Sequence, residues 1–521
     1  MVRLLQLVLS LLPLSVWERP EVLPESFIYS TSQRNATKSI AIVGAGSAGL
    51  AALKAILDLP PETRAGWEVV LYERRRAVGG VWLGDPPGYE PHPPEVPETP
   101  LYPLLKTNTP HPTMTYPHFP FAEGTTLFPR WDAVERYHAD FAVRHDLTPY
   151  IRFNHTVVAA DWRGDDVAGE WQVEVHAHHG DPDGELVMRR TFDHLLVANG
   201  HNHYPHVPVW EGTEEWLASS PAAALPREIL HSIYYRQPER YTNYTILVVG
   251  AGASAYDIAM HVGPLARTVS ANSTTAPSAI PKSTISHFTR DSVVFDDGTS
   301  LTDVDRIILA TGYELRVPFL SAPHSSTLTT NLRYLYPLYR QIYPIAATVP
   351  PTALAFVGLP LIVASCPSDY AQGVFIAHTL ADRSLLPSRA HMLRELLARE
   401  ASLRARGYDP YAMGHKLLDG RTETEDYQEA LFEFLKKRGA LPDDGKRYVE
   451  KWRRLSWQEA VWLYRGWRRL QGAGQEEERR WLKGVATEDQ WADMLYRLIE
   501  WQRRWEEEHG DGMPPLDILI E

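Results

Sequence analysis

The 521-residue sequence predicts an α/β protein with two Rossmann-like dinucleotide-binding domains and a helical C-terminal extension. Residues 39–56 (SIAIVGAGSAGLAALKAI) and 245–262 (TILVVGAGASAYDIAMHV) both run from an apolar strand through Gly-x-Gly-x-x-Gly/Ala into an Ala-rich amphipathic stretch. A dinucleotide fingerprint requires this order of strand, tight turn and helix. Beyond residue 391 the composition shifts to Arg, Glu, Leu and Trp at helical spacing, which predicts the extension.

The N-terminus carries an apolar run from Leu4 to Val16 that follows Arg3. This run is shorter than the about 20 residues of a membrane span and fits a signal-peptide core, although no clear small-x-small cleavage motif follows, so an uncleaved anchor stays open. We therefore expect a glycoprotein of the secretory pathway, secreted or in the ER lumen or membrane, with a cytoplasmic location as the alternative. The potential glycosylation sites are Asn35, Asn154, Asn243 and Asn272.

Charge and cysteine content exclude several classes of protein. A formal charge of −13 argues against a nucleic-acid partner, because phosphate-binding surfaces need clustered Lys and Arg. The single cysteine, Cys366, excludes an internal disulfide and dithiol redox chemistry, and we expect it to be a small buried apolar residue. Histidines occur at close spacing but without supporting carboxylates, so no metal site is expected. Oligomeric state stays open.

In the first fingerprint Gly44 makes the turn, Gly46 lets the backbone approach a pyrophosphate and Gly49 lets the helix pack on the strand. The N-terminus of that helix then binds the phosphates. The next strand begins at Trp67 and ends at Glu73, an acid able to bind both ribose hydroxyls. These residues predict an adenine dinucleotide without a 2′-phosphate, either FAD or NAD.

The second fingerprint has Gly250 and Gly252, an alanine at Ala255 in the third place, and Ser254 and Asp257 on the first helical turn. Two cofactors therefore meet in this chain. Further along, residues 305–313 read as a buried strand that ends in a tight glycine turn. A similar strand at 352–358 precedes a helix predicted from about 369 to 381.

Two less regular regions complete the chain. The Pro-rich segment from Pro86 to Pro100 is predicted to be an extended surface loop. In the C-terminal region, one helical face is formed by Trp491, Leu495, Leu498 and Trp505. The Arg453–Arg454 and Arg468–Arg469 pairs are predicted to lie on solvated helix faces, with phosphate or lipid binding as the alternative.

Besides the two fingerprints, the chain carries a series of short motifs in a fixed order. They are Gly79-Gly-Val-Trp82, Leu105-Lys-Thr-Asn-Thr-Pro110 with Met114 and Phe119-Pro-Phe121, Val197-Ala-Asn-Gly-His201, His231-Ser-Ile-Tyr-Tyr235 and Ala310-Thr-Gly-Tyr313. In order and spacing, this set resembles the flavin-containing monooxygenases over roughly residues 39–390. These flavoproteins use NADPH and O2 to oxygenate soft nucleophiles.

The resemblance implies FAD in the first domain and NADPH in the second. It implies that Asn108 is catalytic, facing the flavin and the nicotinamide and helping to hold the C4a-hydroperoxyflavin that oxygenates the substrate. Preference for the 2′-phosphate would depend on Arg267 or Lys282, since no Arg directly follows the relevant strand. The cofactor-binding residues predicted in this way, together with those of the fingerprints, are Gly44, Ala45, Gly46, Ser47, Ala48, Gly49, Glu73, Gly80, Val81, Trp82, Thr107, Asn108, Thr109, Gly250, Gly252, Ser254, Asp257, Thr311, Gly312 and Gln372.

Two motifs depart from the family pattern. The identifying stretch Phe-x-Gly-x-x-x-His-x-x-x-Phe/Tyr keeps His231 and Tyr235 and loses the Phe and Gly. Its final Tyr disfavours a Baeyer–Villiger enzyme, whose version ends in Trp. The usual Thr of the first Ala-Thr-Gly is Asn199, which can make the same hydrogen bonds.

The predicted protein is an FAD- and NADPH-dependent monooxygenase of the N,N-dimethylaniline monooxygenase type, acting on an amine nitrogen or a sulfur. Its partners are a small-molecule substrate and O2, with possible membrane association through the N-terminal segment. The alternatives are a Baeyer–Villiger monooxygenase on ketones, or an uncoupled NADPH oxidase or other non-oxygenating flavoprotein. The expected domains are 1–38 leader and linker, 39–205 FAD-binding, 206–330 NADPH-binding, 331–390 completion of the FAD-binding domain and 391–521 helical.

Overall fold

The computed structural model describes residues 28–29, 36–178, 185–219, 226–272, 279–320, 328–345, 348–417 and 423–510. The predicted leader and Asn35 lie outside the described residues. The helices are α1 Ser47–Leu57, α2 Trp131–Arg144, α3 Thr213–Ala218, α4 Ala253–Val262, α5 Ser365–Ala381, α6 Arg389–Ala405, α7 Pro410–Met413, α8 Glu423–Lys437, α9 Lys451–Gln458, α10 Ala460–Ala473, α11 Gln475–Leu482 and α12 Glu488–His509.

The strands form a larger set of mostly short segments. They are β1 Ile28–Tyr29, β2 Lys38–Val43, β3 Trp67–Tyr72, β4 Ile151–Arg152, β5 His155–Gly164, β6 Gly169–His178, β7 Glu185–Phe192, β8 His194–Val197, β9 Tyr204–Pro205, β10 Glu228–His231, β11 Thr245–Val249, β12 Thr268–Ala271, β13 Ile280–Pro281, β14 Ile285–Phe288, β15 Val293–Phe295, β16 Ser300–Leu301, β17 Arg306–Leu309, β18 Tyr313–Glu314, β19 Thr329–Thr330, β20 Leu335–Tyr336, β21 Leu338–Tyr339, β22 Tyr343–Pro344 and β23 Leu354–Phe356.

The first parallel sheet has the order β23-β8-β2-β3-β4. Its central strand β2 reads KSIAIV, and the apolar residues from Ile40 onward are buried because α1 and α5 cover one face and an antiparallel sheet covers the other. The antiparallel sheet consists of β5, β6 and β7, with β1 added parallel to β7. Strand β23 comes from far along the chain, so the chain leaves this domain and returns to complete it.

The second parallel sheet has the order β10-β17-β11-β12-β13. Helix α4 covers one face, and the small antiparallel sheet β14-β15-β16 lies near the other, where Phe288, Val293 and Phe295 join Leu247 and Leu309 in a core. The prediction of an α/β fold with two Rossmann-like units is confirmed.

The two connectors between the sheets run side by side. Strand β9 on the outgoing connector pairs antiparallel with β18 on the returning one, with Pro205 opposite Tyr313 and Tyr204 opposite Glu314. Side chains reinforce the crossing, because Asn199 Nδ2 donates to the Arg316 carbonyl at 2.8 Å and Thr311 Oγ1 donates to the His206 carbonyl at 2.5 Å. Asn199, which stands where the family usually has Thr, thus makes the same kind of hydrogen bond on the outgoing connector as Thr311 makes on the returning one.

Helix α5 begins at Ser365, earlier than the sequence predicts. The reason is that Pro367 lies in its first turn, where a missing backbone N–H leaves no hydrogen bond unmade. Cys366, also in this turn, is 3% exposed, which confirms that it is a buried residue.

The C-terminal helices α9 to α12 pack together around Trp467, Leu495 and Leu498, and this core also takes in Leu127 and Phe128. The prediction of a solvated face was wrong for Arg453, whose side chain is only 9% exposed. Besides an i,i+3 pair with Glu450, its guanidinium reaches the Pro112 carbonyl and pairs with Glu488, two long-range contacts that no local pattern in α9 encodes. None of the described helices is both long and apolar enough to cross a membrane.

Candidate functional site

The turn between β2 and α1 is built on close backbone contacts. Gly44 has φ +103°, and a Cβ there would lie 2.5 Å from the Ala198 carbonyl oxygen. A Cβ on Gly80, where φ is +54°, would lie 2.9 Å from the Gly46 Cα. Only glycine fits these positions, so two bare backbone segments lie against each other. The result is a cradle at the N-terminus of α1 in which Gly46, Ser47, Ala48 and Gly49 present main-chain N–H groups without a capping side chain.

Glu73 follows β3 and holds the fingerprint turn to the sheet. Its Oε2 accepts the Ala45 N–H at 2.7 Å and its Oε1 accepts the Arg75 N–H at 2.8 Å. The side chain is 5% exposed, and burial raises the pKa of Glu73, opposed by these backbone hydrogen bonds. A carboxylate has about four acceptor positions, so two remain for ribose hydroxyls.

The segment containing Gly80, Val81 and Trp82 is a 3₁₀ turn positioned by an arginine that the sequence analysis did not single out. Arg75 Nη1 donates to the Gly80 carbonyl at 2.8 Å and Nη2 donates to the Leu83 carbonyl at 2.7 Å. Thr99 donates its hydroxyl hydrogen bond to the Val81 carbonyl. Arg75 lies two residues after Glu73 in the run Arg74–Arg76, and that proximity is the one signal that could have found it.

Asn108 lies on a loop held at both sides. The Thr107 N–H donates to the Pro129 carbonyl and the His111 N–H donates to the Leu127 carbonyl, each at 2.9 Å. Thr107 is buried and its hydroxyl donates to the Thr109 carbonyl at 2.9 Å, whereas Asn108 is exposed. The loop therefore fixes the backbone and presents the Asn108 carboxamide outward.

The same loop is joined to the second dinucleotide-binding unit. The Tyr102 hydroxyl donates a hydrogen bond to Asp257 Oδ2 on α4. Asp257 also lies 3.7 Å from His261 on the same helix, and the neighbouring Ser254 is exposed at the helix start. Gly250 follows β11 and Gly252 precedes α4, so this helix N-terminus offers backbone donors as α1 does.

Thr311 and Gly312 lie where the chain returns from the second unit. The Gly312 carbonyl accepts the His206 N–H at 2.9 Å and His231 Nε2–H at 3.0 Å. His231 Nδ1 in turn accepts the Ile233 N–H at 3.1 Å, which assigns the proton to Nε2. His231, one of the two residues that remain of the degenerate stretch, therefore ties the linker to the glycine turn.

A buried ion pair holds the same linker against the Pro-rich segment. Arg236 Nη2 lies 2.7 Å from Asp85 Oδ2, with the two side chains 9% and 12% exposed. Arg236 also donates to the Thr99 carbonyl at 3.1 Å. The segment from Pro86 to Pro100 is thus anchored at both ends, which its composition alone did not indicate.

Gln372 on α5 has both ends of its carboxamide bonded. Its Oε1 accepts the Gly358 N–H at 2.8 Å, and its Nε2 donates to the Tyr427 hydroxyl at 2.7 Å. The side chain is fully buried. Gln372 therefore braces the turn after β23, and its contact with a flavin stays a prediction.

The two candidates for the 2′-phosphate lie at opposite ends of the second sheet. Arg267 precedes β12 and donates to the Asn243 carbonyl at 2.9 Å. Lys282 follows β13, with its N–H bonded to the Ala271 carbonyl at 2.8 Å, so it lies at the carboxyl edge where dinucleotides bind. Of the two, only Lys282 follows a strand at this edge, so we expect Lys282 rather than Arg267 to meet the 2′-phosphate.

These features fit two dinucleotides. Each parallel sheet carries a helix whose N-terminus is preceded by glycine and lacks a capping side chain, which leaves N–H groups for a diphosphate. The close approach of Gly46 and Gly80 leaves bare backbone beside the N-terminus of α1, where a Cβ on Gly80 would clash with the Gly46 Cα. No group of three potential metal ligands occurs within the described ranges.

Comparison with known proteins agrees with this arrangement. The family model described as flavin-binding monooxygenase-like matches residues 37–280 and 276–417. Flavin-containing monooxygenase FMO GS-OX-like 2 of Arabidopsis thaliana is 31% identical over 408 residues, covering 73% of this chain and 82% of the relative.

Two solved structures show the same architecture. S-allyl-L-cysteine S-oxygenase from Allium sativum is 26% identical, with a TM-score of 0.67, and the match covers 90% of this chain and 99% of that one. Tmm from Pelagibacter sp. strain HTCC7211 shares the fold at 22% identity, with a TM-score of 0.64 over 82% of this chain and 90% of that one.

The Baeyer–Villiger alternative is not favoured by these relatives, and the motif that ends in Tyr235 agrees with them. The two fingerprints, the cradle at α1 and the family match together identify the chemistry. The chain belongs to the flavin-binding monooxygenase-like family and is a flavoprotein monooxygenase that uses FAD, NADPH and O2 to oxygenate nitrogen or sulfur.

Proposed function

We propose that the atom oxygenated is the sulfur of a small thioether. The observation that carries this proposal is the match to S-allyl-L-cysteine S-oxygenase, which extends over 90% of this chain and 99% of that protein. A thioether sulfur is already nucleophilic, so oxygen transfer to it requires no acid or base acting on the substrate. An exposed carboxamide on a rigid loop is compatible with this chemistry.

We assign the roles of the chain's own residues from their positions. The N-termini of α1 and α4 hold the diphosphates of FAD and NADPH through backbone N–H groups. When bound, FAD reduced by NADPH supplies the oxidising chemistry with O2. The carboxamide of Asn108 donates and accepts hydrogen bonds beside the reacting groups.

Besides binding the cofactors, the site must exclude water. In a hydrated site the activated oxygen is lost as hydrogen peroxide instead of being transferred to the substrate. The C-terminal helices support this task by packing on the far side of the Asn108 loop. The His111 ring lies 4.6 Å from the Trp491 ring, and Phe128 lies 5.5 Å from Tyr464. Residues that flank the Asn108 loop, His111 and Phe128, are therefore packed against the helical region, whereas the Asn108 side chain itself is exposed.

The direct experiment is product analysis. Purified holoprotein is incubated with NADPH, O2 and one of three probes: an aryl methyl thioether, a tertiary arylamine or a cyclic ketone. We expect sulfoxide as the main product, with NADPH consumed in near-stoichiometric amount. Preferential N-oxide formation would overturn the choice of sulfur. Lactone formation would revive the ketone chemistry, and quantitative hydrogen peroxide with no oxygenated product would indicate an oxidase.

The role of Asn108 is tested by Asn108→Ala, with Leu104→Ala as the control, because Leu104 is on the same segment and 47% exposed. We expect Asn108→Ala to bind FAD normally and to convert most NADPH turnover into hydrogen peroxide. Loss of one such oriented donor typically reduces the rate by about 10²-fold or more. Unchanged sulfoxide yield in Asn108→Ala would exclude the assigned role.

We also propose that the chain enters the secretory pathway and carries N-linked glycans. The apolar run at residues 4–16 and the four sequons support this proposal. Asn154 and Asn243 are exposed, so both side chains are accessible to the modifying enzyme. Asn272 is half-buried and its Nδ2 donates to the Ser283 carbonyl at 3.0 Å, so we expect that site to stay unmodified.

A further inference from the structure

A buried carboxyl group lies directly behind the N-terminus of α1. Asp369, in the second turn of α5, is 3% exposed. It packs where Gly358, with φ +79°, approaches α1: a Cβ on Gly358 would lie 2.8 Å from the Ala48 Cβ and 3.4 Å from Asp369 Oδ1. The carboxyl group and the cradle for the diphosphate therefore share one helix end.

Asp369 is linked to this helix by one strong hydrogen bond. Ser47 Oγ donates to Asp369 Oδ2 at 2.5 Å, and the Ser47 carbonyl accepts the Tyr116 hydroxyl at 2.8 Å. Ser47 is the first residue of α1, so its side chain is oriented by Asp369 from one side and its main chain by Tyr116 from the other.

The Asp369 carboxyl group has no cationic partner among the described residues. Within the part of the chain that the structure describes, no Lys, Arg or His forms an ion pair with Asp369. The titratable groups that face it are Cys366 on its own helix, Tyr116 from the segment before α2, Tyr427 on α8 and Tyr448 after α8, and burial raises the pKa of each. All four are neutral near pH 7, and burial raises the pKa of Asp369 itself to about 7.

An FAD diphosphate at this helix end would bring two negative charges close to Asp369. The helix N-terminus provides only about half a positive charge, which cannot neutralise a diphosphate and a carboxylate together. A neutral carboxyl still accepts the Ser47 hydroxyl through its carbonyl oxygen. The protonated form therefore keeps the hydrogen bond and removes the repulsion.

We propose that Asp369 is a positioning residue for FAD, that it orients Ser47 at the diphosphate, and that it takes up a proton when FAD binds. The affinity for FAD then falls as the pH rises, because binding takes up a proton and fewer protons are available at higher pH. The sign follows from the charges: a nearby diphosphate favours the neutral carboxyl, so the bound protein holds the proton more tightly than the free protein. The proposal assumes that this protein binds FAD, as its family does. It does not depend on which substrate is oxygenated.

The test is FAD binding by the full-length apoprotein, followed by flavin fluorescence between about pH 6 and pH 9. We expect the Kd of the wild type to rise by up to about tenfold per pH unit above pH 7. Asp369→Asn keeps the shape and cannot titrate, so its Kd should be nearly independent of pH. The control is Asp58→Asn at the other end of α1, where the side chain is 41% exposed and pairs with Lys54; it should behave as the wild type.

A second measurement needs no variant. Calorimetric titration of wild-type apoprotein with FAD in buffers of different ionisation enthalpy counts the protons taken up, and we expect a value between 0.5 and 1 at about pH 8. A Kd independent of pH together with zero proton uptake would overturn the proposal. An unchanged pH dependence in Asp369→Asn would also overturn it, and failure of every form to bind FAD would contradict the FAD site itself.

Discussion

The Tyr102 hydroxyl donates a hydrogen bond to the Asp257 carboxylate, and this contact joins the segment leading to Asn108 to the first turns of α4. The two residues are separated by 155 positions. The Tyr102 ring also packs edge-on against Tyr235 at 5.1 Å. Burial and the neighbouring carboxylate raise the pKa of Tyr102, so the phenol remains a donor at neutral pH. The contact connects the segment leading to Asn108 with the predicted NADPH site.

Removing this hydrogen bond should uncouple the reaction. In Tyr102→Phe the ring packing is retained and a hydrogen bond to a charged acceptor, worth about 1.5–3 kcal/mol, is lost. We expect more hydrogen peroxide per NADPH and less sulfoxide, with normal FAD content. Tyr89→Phe is the control, because Tyr89 donates to Glu95 at 2.9 Å at an exposed position. Equal product yields in both variants would show that the contact has no functional role.

Lys282 should set the preference for NADPH over NADH. Removal of a cation that meets the 2′-phosphate costs about 1.4 kcal/mol or more, which corresponds to about a tenfold rise in KM for NADPH. We expect this rise in Lys282→Met with the KM for NADH unchanged. Arg267→Met is the matched control, because Arg267 lies at the opposite end of β12. A larger effect of Arg267→Met in steady-state kinetics would reverse the assignment.

Arg453 should stabilise the contact between the C-terminal helices and the Asn108 loop. Besides the Pro112 carbonyl, its Nη1 reaches Thr115 Oγ1 at 2.9 Å, and its Nη2 reaches Glu488 at 3.1 Å. We expect Arg453→Met to lower the free energy of unfolding by about 2–4 kcal/mol, measured with urea.

The control for Arg453→Met is the same substitution at the neighbouring residue, Arg454. Arg454 pairs with Asp426, whose side chain is 60% exposed, so Arg454→Met should change the stability by less than about 1 kcal/mol. Similar effects of the two substitutions would mean that Arg453 does not act through the loop.

His231 should contribute to a loss of stability in acid. Burial lowers its pKa from the ordinary 6.5 to about 4. Between these two pKa values the unfolded chain binds a proton that the folded chain does not. The free energy of unfolding therefore falls as the pH drops through this window, and the stabilising contribution of neutral His231 is fully present above it. His231→Gln, which keeps a donor and an acceptor, should make this pH dependence shallower by up to one proton. An identical slope in urea unfolding at several pH values would contradict the prediction.

Glycosylation can be tested by expression in cells with a secretory pathway. We expect the wild type to shift on a gel after endoglycosidase treatment, and each of Asn154→Gln and Asn243→Gln to lose one glycan. Asn272→Gln should be unchanged, because the Asn272 amide is bonded to the Ser283 carbonyl. Absence of any shift in the wild type would exclude the proposed glycosylation, and recovery of the protein only in the cytosolic fraction would exclude the proposed route.

The sequence by itself determined the nucleotide-binding elements. A strand, a glycine turn and a helix are formed by consecutive residues, so their chemistry can be read from spacing alone, and Gly44, Gly46 and Glu73 all lie at the first fingerprint in the structure. The same holds for the fold class, which follows from two such units, and for Trp491, Leu495 and Leu498 on the buried face of α12, although the predicted fourth member, Trp505, lies outside that core.

Only the tertiary structure decided how these units are joined. Arg75 was missed although it lies beside Glu73, because its partners are carbonyl groups with no sequence signature. Arg453 was misjudged because its exposure depends on a loop 341 positions away. Pairing of Tyr102 with Asp257, and of Asp369 with Ser47, likewise depends on contacts between distant segments. Local propensity and spacing specify the elements, whereas the burial of a charged or polar group depends on which surfaces meet when the chain folds.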